Sequence, residues 1–411
     1  MNVVVVGGAL PYPANSGNRI RTLNLLVRLA RRHRVTLLGT NNPDRRAGRA
    51  AVEYLGDHQI KAVEVGHTVP PKSVLRFHSR LLLNLASALP YSVASHHGLA
   101  LAEAVRRLAA RGDVDLWQAE WVGGMTAFRG LADARTLVMA HNVETLIWER
   151  SARTERNLLK RVYLREQARK FARFERRVFA EARRIVTVSL DDAALVVDRF
   201  GVPRERVDVV DNGIDRAAFE IVAPDRDPKR ILFLGSLEWR PNLDAVGILL
   251  DKIFPAVRAA VPEVSLDIVG RNPPLALVRR TRETPGVRLH ADVADVRPYL
   301  ARAGVMAVPL RVGGGSRLKI LEALATGLPV VSSRVGAEGL LLSNGEHLDI
   351  IDEPASFADA LLHVIRGPER ARALAATGRA LVLERYDWDV LADDLERSWE
   401  RCAAAQPIVA S

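Results

Sequence analysis

The chain has 411 residues, which is long enough for two domains that each bury a core. The 48% hydrophobic fraction is ordinary for a globular protein, the single cysteine excludes an internal disulfide, and the net charge of +11 favours anionic partners. No apolar run approaches the roughly 20 residues that cross a bilayer, and no basic leader precedes the first apolar segment. We therefore expect a cytoplasmic protein, with peripheral contact at the inner face of the plasma membrane as an open alternative.

The first half of the chain alternates strand-like and helix-like segments. Helical segments such as Arg19–Arg31 and Leu99–Ala110 separate apolar runs that are rich in Val, Ile and Leu. Such runs are typical of strands covered on both faces of a parallel sheet. The repeat predicts a doubly wound parallel sheet with strands at Asn2–Val6, Arg34–Leu38, Ile60–Val65, Val114–Ala119, Arg135–Ala140 and Arg184–Val188.

Nearly the whole positive excess lies between Arg150 and Arg184, where there are 13 Lys or Arg and four Glu. Three interpretations remain open: a solvated helix face, a site for anionic lipid or a lipid-phosphate acceptor, and a nucleic-acid site. The segment lacks the aromatic interleaving expected of single-strand binders and matches no DNA-binding motif, so we expect no nucleic-acid partner. A helix is predicted at Lys160–Glu181, with an apolar stripe formed by Leu164, Ala168, Phe171, Val178 and Ala182.

A second apolar-rich stretch, Leu75–Leu89, is punctuated by Arg76 and Arg80. It is either part of the core or an interfacial helix that dips into a membrane. The sequence alone leaves both interpretations open.

The strand pattern restarts after the polar stretch Val222–Lys229, which is predicted as the linker between two Rossmann-like domains. We predict an N-terminal domain at 1–215 and a C-terminal domain at 216–385. An amphipathic helix at Trp388–Ala403 lies in a C-terminal segment, 386–411, that is expected to pack back on the first domain. The strands of the second domain are predicted at Ile231–Leu234, Val264–Val269, Val287–His290, Gly304–Val308 and Pro329–Ser332.

Ligands of open α/β sheets bind beyond the carboxyl ends of the strands, so polar residues there are candidates for a site. The loop after the first strand lacks the G-x-G-x-x-G fingerprint, but Gly17 precedes a helix that begins near Arg19 and can approach a phosphate or a sugar. His141 follows the fifth strand and either contacts a ligand hydroxyl, acts as a base, or is structural. Arg240 follows the first strand of the second domain and is a candidate phosphate partner.

Several other kinds of site are absent from the sequence. No Cys or His residues have metal-ligand spacing, and neither a G-x-S-x-G elbow nor a Walker G-x-x-x-x-G-K-[ST] motif occurs. Asp191 and Asp192 follow Ser189 at a helix start, and we interpret them as helix N-terminal charge rather than as a metal site.

The most informative stretch is Gly313–Ala323, which reads GGGSRLKILEA and follows an apolar strand. Glycines let the backbone turn tightly and present bare N–H groups, and the helix that follows adds unpaired N–H groups and a partial positive charge. Arg317 and Lys319 add two formal charges, a combination that suits a bound diphosphate. Glu322 lies further along the helix, where its carboxylate can accept hydrogen bonds from ribose hydroxyls.

These residues together resemble a known family. Asn212–Asp215 at the crossover and the signature Gly313–Val331 resemble a GT-B glycosyltransferase of the retaining family-4 type, which uses nucleotide-diphosphate sugars. The resemblance covers almost the whole chain and extends to Ser16–Arg19, His141–Glu144, Val186–Ser189, Gly235–Asn242 and Tyr386–Trp388. It implies two Rossmann-like doubly wound domains facing each other across a cleft, the N-terminal one binding the acceptor and the C-terminal one the donor.

The resemblance also implies roles for single residues. Arg240, Arg317 and Lys319 would neutralise the donor diphosphate, Glu322 would hold the ribose, and His141 would face the transferred sugar. Catalysis is thus assigned to His141, Arg240 and Lys319, and the acceptor side to Asn18, Arg19 and Glu144. The implied donor-binding residues are Gly17, Arg240, Gly314, Gly315, Ser316, Arg317, Lys319 and Glu322.

One departure from the family pattern concerns the position eight residues before Glu322. A second Glu usually stands there, but this chain has Gly314. The Gly-Gly-Gly-Ser/Thr-Arg-x-Lys pattern resembles a branch of the same family, and the backbone N–H groups of Gly314 and Gly315 are candidates to replace the missing carboxylate.

The implied reaction is sugar transfer with retention of anomeric configuration, in cell-surface polysaccharide assembly, with no metal or cofactor besides the nucleotide-sugar co-substrate. Fixed cations and N–H dipoles would stabilise the departing diphosphate. Asp115, Glu120 and Glu144 are candidate acceptor-side carboxylates, and the expected acceptor is a glycan, a lipid-linked or another hydroxyl compound. Two alternatives stay open: a GT-B nucleotide-sugar epimerase and a non-catalytic nucleotide-sugar-binding protein.

Overall fold

A computed structural model of the chain describes residues 1–14, 16–66, 74–96, 98–131, 135–219, 226–312 and 318–404. The chain divides into two compact units. The first comprises Met1–Asp211 together with the C-terminal segment from Asp389, and the second comprises Asn212–Trp388. No helix among the described residues is both long enough and apolar enough to span a bilayer.

The first unit contains a seven-stranded parallel sheet in the order β3-β2-β1-β4-β5-β6-β7. The interior strand β1 is fully buried from Val3 to Val6, as its unbroken valine run predicts. The strands are β1 Asn2–Ala9, β2 Arg34–Thr40, β3 Ile60–Val65, β4 Leu116–Ala119, β5 Thr136–Ala140, β6 Arg184–Thr187 and β7 Val207–Val209. The predicted doubly wound parallel sheet is confirmed, and β7 is an edge strand that the sequence analysis missed.

In the part of the first unit that the structure describes, eight α-helices lie between these strands. They are α1 Gly17–Leu29, α2 Arg45–Asp57, α3 Val74–Asn84, α4 Tyr91–His96, α5 Leu99–Ala109, α6 Glu144–Thr154, α7 Leu158–Glu181 and α8 Leu190–Phe200. The predicted stripe on α7 is buried, with Leu164, Phe171 and Val178 at most 9% exposed. One member, Ala182, is buried but caps the helix instead of belonging to it.

The second unit contains a six-stranded parallel sheet in the order β10-β9-β8-β11-β12-β13. Its strands are β8 Asp227–Leu234, β9 Ser265–Gly270, β10 Val287–Ala291, β11 Ala303–Val308, β12 Val330–Ser332 and β13 Asp349–Ile350. The two-residue strand β13 was not predicted. The predicted linker at Val222–Lys229 is wrong at its end, because Asp227 already pairs with Ala303 of β11, and residues 222–225 lie outside the described residues.

The helices of the second unit that the structure describes lie before, between and after its strands along the chain. They are α9 Arg216–Phe219, α10 Arg240–Ile248, α11 Phe254–Ala260, α12 Leu275–Glu283, α13 Arg297–Arg302, α14 Leu318–Ala325, α15 Arg334–Ala337, α16 Pro354–Arg366 and α17 Pro368–Arg385.

The last helix, α18, runs from Trp388 to Ala404 and belongs to the first unit from Asp389 onward. Leu395, Trp399 and Cys402 recur at helical spacing on one face and are fully buried. On its flank Glu396 lies 2.5 Å from the Nε2 of His33, and Asp389 lies 2.5 Å from the Nε of Arg28. The C-terminal helix is therefore held by a buried apolar stripe, by an ion pair with Arg28 near the end of α1 and by a contact with His33 just after that helix.

Candidate functional site

In the first unit, two candidate residues emerge side by side at the carboxyl end of the sheet. Glu120 directly follows β4 and His141 directly follows β5, and these strands are neighbours in parallel register. The Nε2 of His141 lies 3.4 Å from an Oε2 of Glu120, with the two side chains 13% and 8% exposed. The structure thus gives His141 a carboxylate partner that the spacing of the sequence does not reveal.

Glu120 is buried, yet it remains ionised. Burial by itself raises the pKa of this carboxyl, but donors on His141, Thr22 and Gln118 outweigh it and hold the pKa below its usual range. The Oγ1 of Thr22 donates to Oε2 at 2.6 Å, and Gln118 Nε2 donates to Oε1. Arg21 is also buried and adds favourable charge nearby. The group is therefore a fixed anion beneath the site.

Glu144 begins α6 and has a different environment. Burial raises the pKa of its carboxyl to about 7, although the indoles of Trp121 and Trp148 face it and oppose the rise. Behind it, burial raises the pKa of Glu175 to about 8, while this carboxyl accepts hydrogen bonds from the backbone N–H groups of Glu144 and Thr145. With a pKa of about 7, the Glu144 carboxyl is about half protonated at neutral pH, and two indoles face it. This environment suits contact with a hydroxyl-rich ligand.

Asp115 is not part of this group. It precedes β4, so it lies at the amino end of the sheet, where its carboxylate accepts the backbone N–H of Asn2 at 2.7 Å. Its candidacy as an acceptor-side carboxylate is therefore wrong, since the other candidates lie at the opposite edge.

The first turn of α1 carries Gly17, Asn18 and Arg19. The helix begins at Gly17, with Ser16 as the residue before it, and not near Arg19 as predicted. Gly17 and Asn18 are exposed, and Ser16 Oγ donates to the Oδ1 of Asn18 at 2.7 Å. This turn has no acidic residue, and Ser16 makes no side-chain hydrogen bond that caps the helix. One turn further on, Thr22 of the same helix reaches Glu120.

In the second unit, Lys319 and Glu322 lie one turn apart on α14. The Nζ of Lys319 donates to Asn242 Oδ1 at 2.9 Å and lies 5.0 Å from the ring centre of Phe233. Burial raises the pKa of the Glu322 carboxyl to about 7, and the charge of Lys319 opposes the rise. An ammonium and a carboxyl thus share one helix face at the carboxyl end of β8, where a nucleotide diphosphate and its ribose have matching groups.

A tight glycine turn supports the lysine. Gly235 directly follows β8, and a Cβ there would lie 2.7 Å from Asn242 Nδ2 and 2.8 Å from Lys319 Nζ. The same Asn242 amide donates to the carbonyl oxygen of Ser236 at 2.9 Å and is 3% exposed. Only glycine leaves room for this arrangement.

Asn242 is a functional candidate that the sequence analysis named only as the end of a motif. Its signal was its position on the first turn of the helix after β8, in the stretch Trp239-Arg240-Pro241-Asn242. Because an Asn early in a helix usually caps the backbone, its use as a side-chain clamp could not be read from the sequence.

The remaining donor candidates are placed less fully. Arg240 is the first residue of α10 and is exposed, as is Trp239 beside it. Gly314, Gly315, Ser316 and Arg317 lie outside the described residues. Among the residues that are described, no group of three or more His, Cys, Asp or Glu side chains is arranged to hold a metal ion.

Comparison with known proteins gives the family. A model for glycosyltransferase family 4 matches residues 15–218, and a model for glycosyl transferases group 1 matches residues 228–367. The phosphatidyl-myo-inositol mannosyltransferase of Mycobacterium tuberculosis is 32% identical over 209 residues, which are 48% of this chain and 54% of the relative. The chain therefore matches about half the length of that curated relative.

Two further similarities run along almost the whole chain. A 44.6 kDa protein of the cps region of Klebsiella pneumoniae is 23% identical over 393 residues, 94% of this chain and 96% of the relative. HepE of Anabaena, crystallised in complex with UDP, superposes with a TM-score of 0.67 at 15% identity and covers 97% of this chain and 100% of its own. With both Rossmann-like units matched by family models and by this fold, the chain belongs to the group 1, family 4 glycosyltransferases of GT-B fold.

Proposed function

We propose that the chain transfers a sugar from a nucleotide-diphosphate sugar to a hydroxyl of a glycan or lipid-linked acceptor, with retention of anomeric configuration. The proposal assigns the donor to the second unit and the acceptor to the first. The observation that carries it is the pairing of Lys319 with Glu322 on α14 beside the glycine turn at Gly235.

The charged groups of the proposed donor site suit a departing diphosphate. Departure of a diphosphate leaves negative charge on its oxygens, and fixed cations and N–H dipoles stabilise that charge without reorganising. Lys319, Arg240 and Arg317 would supply the cations, and Gly314, Gly315 and Ser316 the backbone N–H groups, so the chemistry needs no metal. Glu322 would accept hydrogen bonds from the ribose. HepE, with its bound UDP, supports a nucleotide at this fold's donor site.

The proposed transfer step involves residues of the first unit. His141 would face the transferred sugar, and the first turn of α1, with Gly17, Asn18 and Arg19, would face the diphosphate and the acceptor. We propose that the bond between the anomeric carbon and the diphosphate oxygen breaks while the acceptor oxygen bonds to that carbon on the same face of the sugar. The leaving phosphate takes the proton of the acceptor hydroxyl. Retention follows because the new bond lies on the face from which the phosphate departs. Glu144 would accept a hydrogen bond from an acceptor hydroxyl.

The relatives of the chain indicate the class of acceptor. One relative is a phosphatidyl-myo-inositol mannosyltransferase and another comes from a cps region, which supports a role in cell-surface glycan or glycolipid assembly. Such acceptors are presented at a membrane, and we therefore also propose a peripheral location at its cytoplasmic face.

An exposed apolar and basic surface on the first unit supports this location. At the end of α3, Leu82 is 68% and Leu83 75% exposed, and at the start of α7, Leu159 is 83% exposed. The end of α3 is tied to α7, because Lys170 Nζ donates to the carbonyl oxygen of Asn84 at 2.6 Å. Between these leucines α7 carries exposed cations, among them Lys160, Arg165 and Arg169. Exposed leucines flanked by cations suit an anionic lipid surface.

The donor assignment is tested by thermal shift. Nucleotide binding to the native state raises Tm by mass action. UDP, GDP, dTDP and ADP and their sugar conjugates are compared on wild type, Lys319→Ala and Glu322→Ala. We expect a shift with one nucleotide that both variants lose. Turnover with candidate acceptors, followed by NMR of the anomeric proton, then tests retention. The absence of any shift at millimolar nucleotide would contradict the proposed donor site.

The membrane assignment is tested by co-sedimentation with phosphatidylcholine vesicles that contain or lack about 30% phosphatidylglycerol. We expect binding to the anionic vesicles only, and a loss of binding in the double variant Leu82→Ser/Leu83→Ser. Leu275→Ser is the matched control, because Leu275 is 75% exposed on the second unit. Equal binding of wild type and the double variant would overturn this part of the proposal.

A further inference from the structure

Four buried or nearly buried side chains form a line from the C-terminal helix to His141. The Nε1 of Trp399 on α18 donates to Gln118 Oε1 at 2.6 Å, and Gln118 Nε2 donates to Glu120 Oε1. The other oxygen of Glu120 faces His141 Nε2 at 3.4 Å. Trp399 and Gln118 are completely buried, and all four residues belong to the first unit.

Strand geometry explains how the side chain of Gln118 reaches Glu120. Gln118 and Glu120 are two residues apart at the end of β4, so their side chains lie on the same face. Gln118 has one acceptor and one donor group, and each is used in the line. Because its acceptor is taken by Trp399, its amide nitrogen is directed at Glu120, and its orientation is fixed from the side of α18.

A second set of donors fixes the carboxylate itself. Thr22 Oγ1 donates to the Oε2 that faces His141, and the buried Arg21 adds a positive charge near it. Arg21 is held in turn, since its Nη2 donates to the carbonyl oxygen of Val210 at 2.7 Å. Glu120 thus has a fixed position and a fixed negative charge.

A fixed anion beside Nε2 determines what His141 presents to a ligand. A proton on Nε2 is stabilised by Glu120, and a lone pair there would be repelled by it. In the neutral ring this leaves the lone pair on Nδ1, the nitrogen that does not face Glu120. His141 is then oriented as an acceptor of a hydroxyl hydrogen bond.

We infer that Glu120 is a positioning residue which holds the tautomer and the orientation of His141, and that α18 sets Glu120 in place through Trp399 and Gln118. The inference rests on the proposed function for its kinetic consequences but not for the tautomer itself. It makes the C-terminal helix part of the acceptor-side machinery, beyond its role in packing.

The kinetic test is a double-mutant cycle on Glu120 and His141. Glu120→Gln is expected to lower kcat roughly 10- to 100-fold, with little change in the donor KM, because orientation of a catalytic imidazole is worth factors of this order. Added to His141→Ala, the same substitution should change kcat by less than about twofold, since it acts through the ring. A full, additive loss in the His141→Ala background would overturn the inference.

The spectroscopic test needs no activity. In protein with ¹⁵N-labelled histidine, with the His141 signals assigned by the His141→Ala variant, we expect the ring pattern of a proton on Nε2. Glu120→Gln should weaken that preference and bring in the other tautomer. An unchanged ring pattern in Glu120→Gln would refute the inference, even if the proposed function holds. If wild type shows the expected pattern but no turnover, only the proposed function fails.

A third variant tests the contribution of α18. Trp399→Phe keeps the buried ring and removes only the N–H that fixes Gln118, so we expect kcat to fall roughly 2- to 5-fold and the His141 pattern to broaden. Asp208→Asn is the control, because Asp208 of β7 pairs with Arg401 of α18 and with Arg184 of β6, and neither partner belongs to the line. It should lower Tm while kcat stays unchanged. If both variants lower kcat equally, α18 acts through packing alone and its assigned role is wrong.

Discussion

A hydrogen bond joins Lys319 and Asn242 in the second unit, with 2.9 Å between the Nζ of the lysine and the Oδ1 of the amide. Lys319 lies on α14 and Asn242 on the first turn of α10, so this hydrogen bond joins the two helices. Because the Nδ2 of the same amide donates to Ser236, the orientation of Asn242 is fixed by the turn after β8. A phosphate-binding lysine with a long flexible stem is thereby held at a defined position.

Removal of the amide should release the lysine. We expect Asn242→Ala to raise the donor KM about tenfold and to lower the free energy of unfolding by about 1–2 kcal/mol, since a hydrogen bond to a charged group and a buried one to a carbonyl are lost. Asn242→Asp keeps an acceptor for Lys319 but loses the donor to Ser236, so its donor KM should lie closer to wild type. Donor kinetics and chemical denaturation measure the two effects. A donor KM that stays at the wild-type value in Asn242→Ala would exclude a clamp.

Gly235 offers a way to disturb the same contact without removing any polar group. A Cβ at this position would lie under 3 Å from both Asn242 Nδ2 and Lys319 Nζ, and the mobile end of the lysine is the part that can move away. We expect Gly235→Ala to fold but to show a nucleotide thermal shift reduced by half or more.

Gly247→Ala is the matched control for this change. Gly247 lies on α10 with nothing within 4 Å of a Cβ, so the substitution should raise stability by about 0.5–1 kcal/mol and leave nucleotide binding intact. Equal nucleotide shifts in both glycine variants would mean that the turn does not support the lysine.

Much of the fold could be predicted from the sequence. The valine run of β1 and the apolar stripe of α7 appear where their periodicity indicates, because burial on two faces or on one face imposes those patterns. The two missed strands, β7 and β13, have three and two residues, too few for any periodicity. Asp191 and Asp192 lie on the first turn of α8, as their interpretation as helix N-terminal charge requires, and Ser189 accepts the backbone N–H of Asp192 there.

The contacts of the candidate site were less predictable. Glu120 could be named as a candidate, but its pairing with His141 depends on β4 and β5 being neighbours. The charge count of the basic segment left three interpretations open, and none of them foresaw that Lys170 is 2% exposed and bonds the end of α3. A charge count does not tell which lysine finds a partner 86 residues away in the chain.

Glu322 should make donor binding dependent on pH. Burial raises the pKa of its carboxyl to about 7, so the group is mostly neutral below that pH and ionised above it. A carboxylate accepts hydrogen bonds from ribose hydroxyls more strongly than a neutral acid, so affinity for a nucleotide sugar should rise about three- to tenfold between pH 6 and 8.

The measurement is calorimetric titration with the nucleotide sugar that gives the largest thermal shift. A nucleotide sugar is preferred to the free diphosphate, because its diphosphate is esterified at both ends and keeps its charge over this range. In Glu322→Gln the dependence should flatten. If the variant retains the wild-type pH profile, another group causes it and Glu322 does not hold the ribose.

Glu175 should make the stability of the ligand-free protein fall as the pH rises. Burial raises the pKa of this carboxyl to about 8, while in the unfolded chain it ionises near its ordinary value of 4.5. Between these two pH values the native state binds more protons than the unfolded state, so the free energy of unfolding decreases with increasing pH. Glu175→Gln removes the titrating group, and although it also weakens the hydrogen bonds to Glu144 and Thr145, that loss does not depend on pH.

We therefore expect denaturation curves from pH 5 to 8 to show that the free energy of unfolding falls less steeply with pH in Glu175→Gln than in wild type. Glu103→Gln, at an exposed pair with Arg107 on α5, is the control and should keep the wild-type slope. Parallel slopes for wild type and Glu175→Gln would show that this carboxyl is already ionised in the fold.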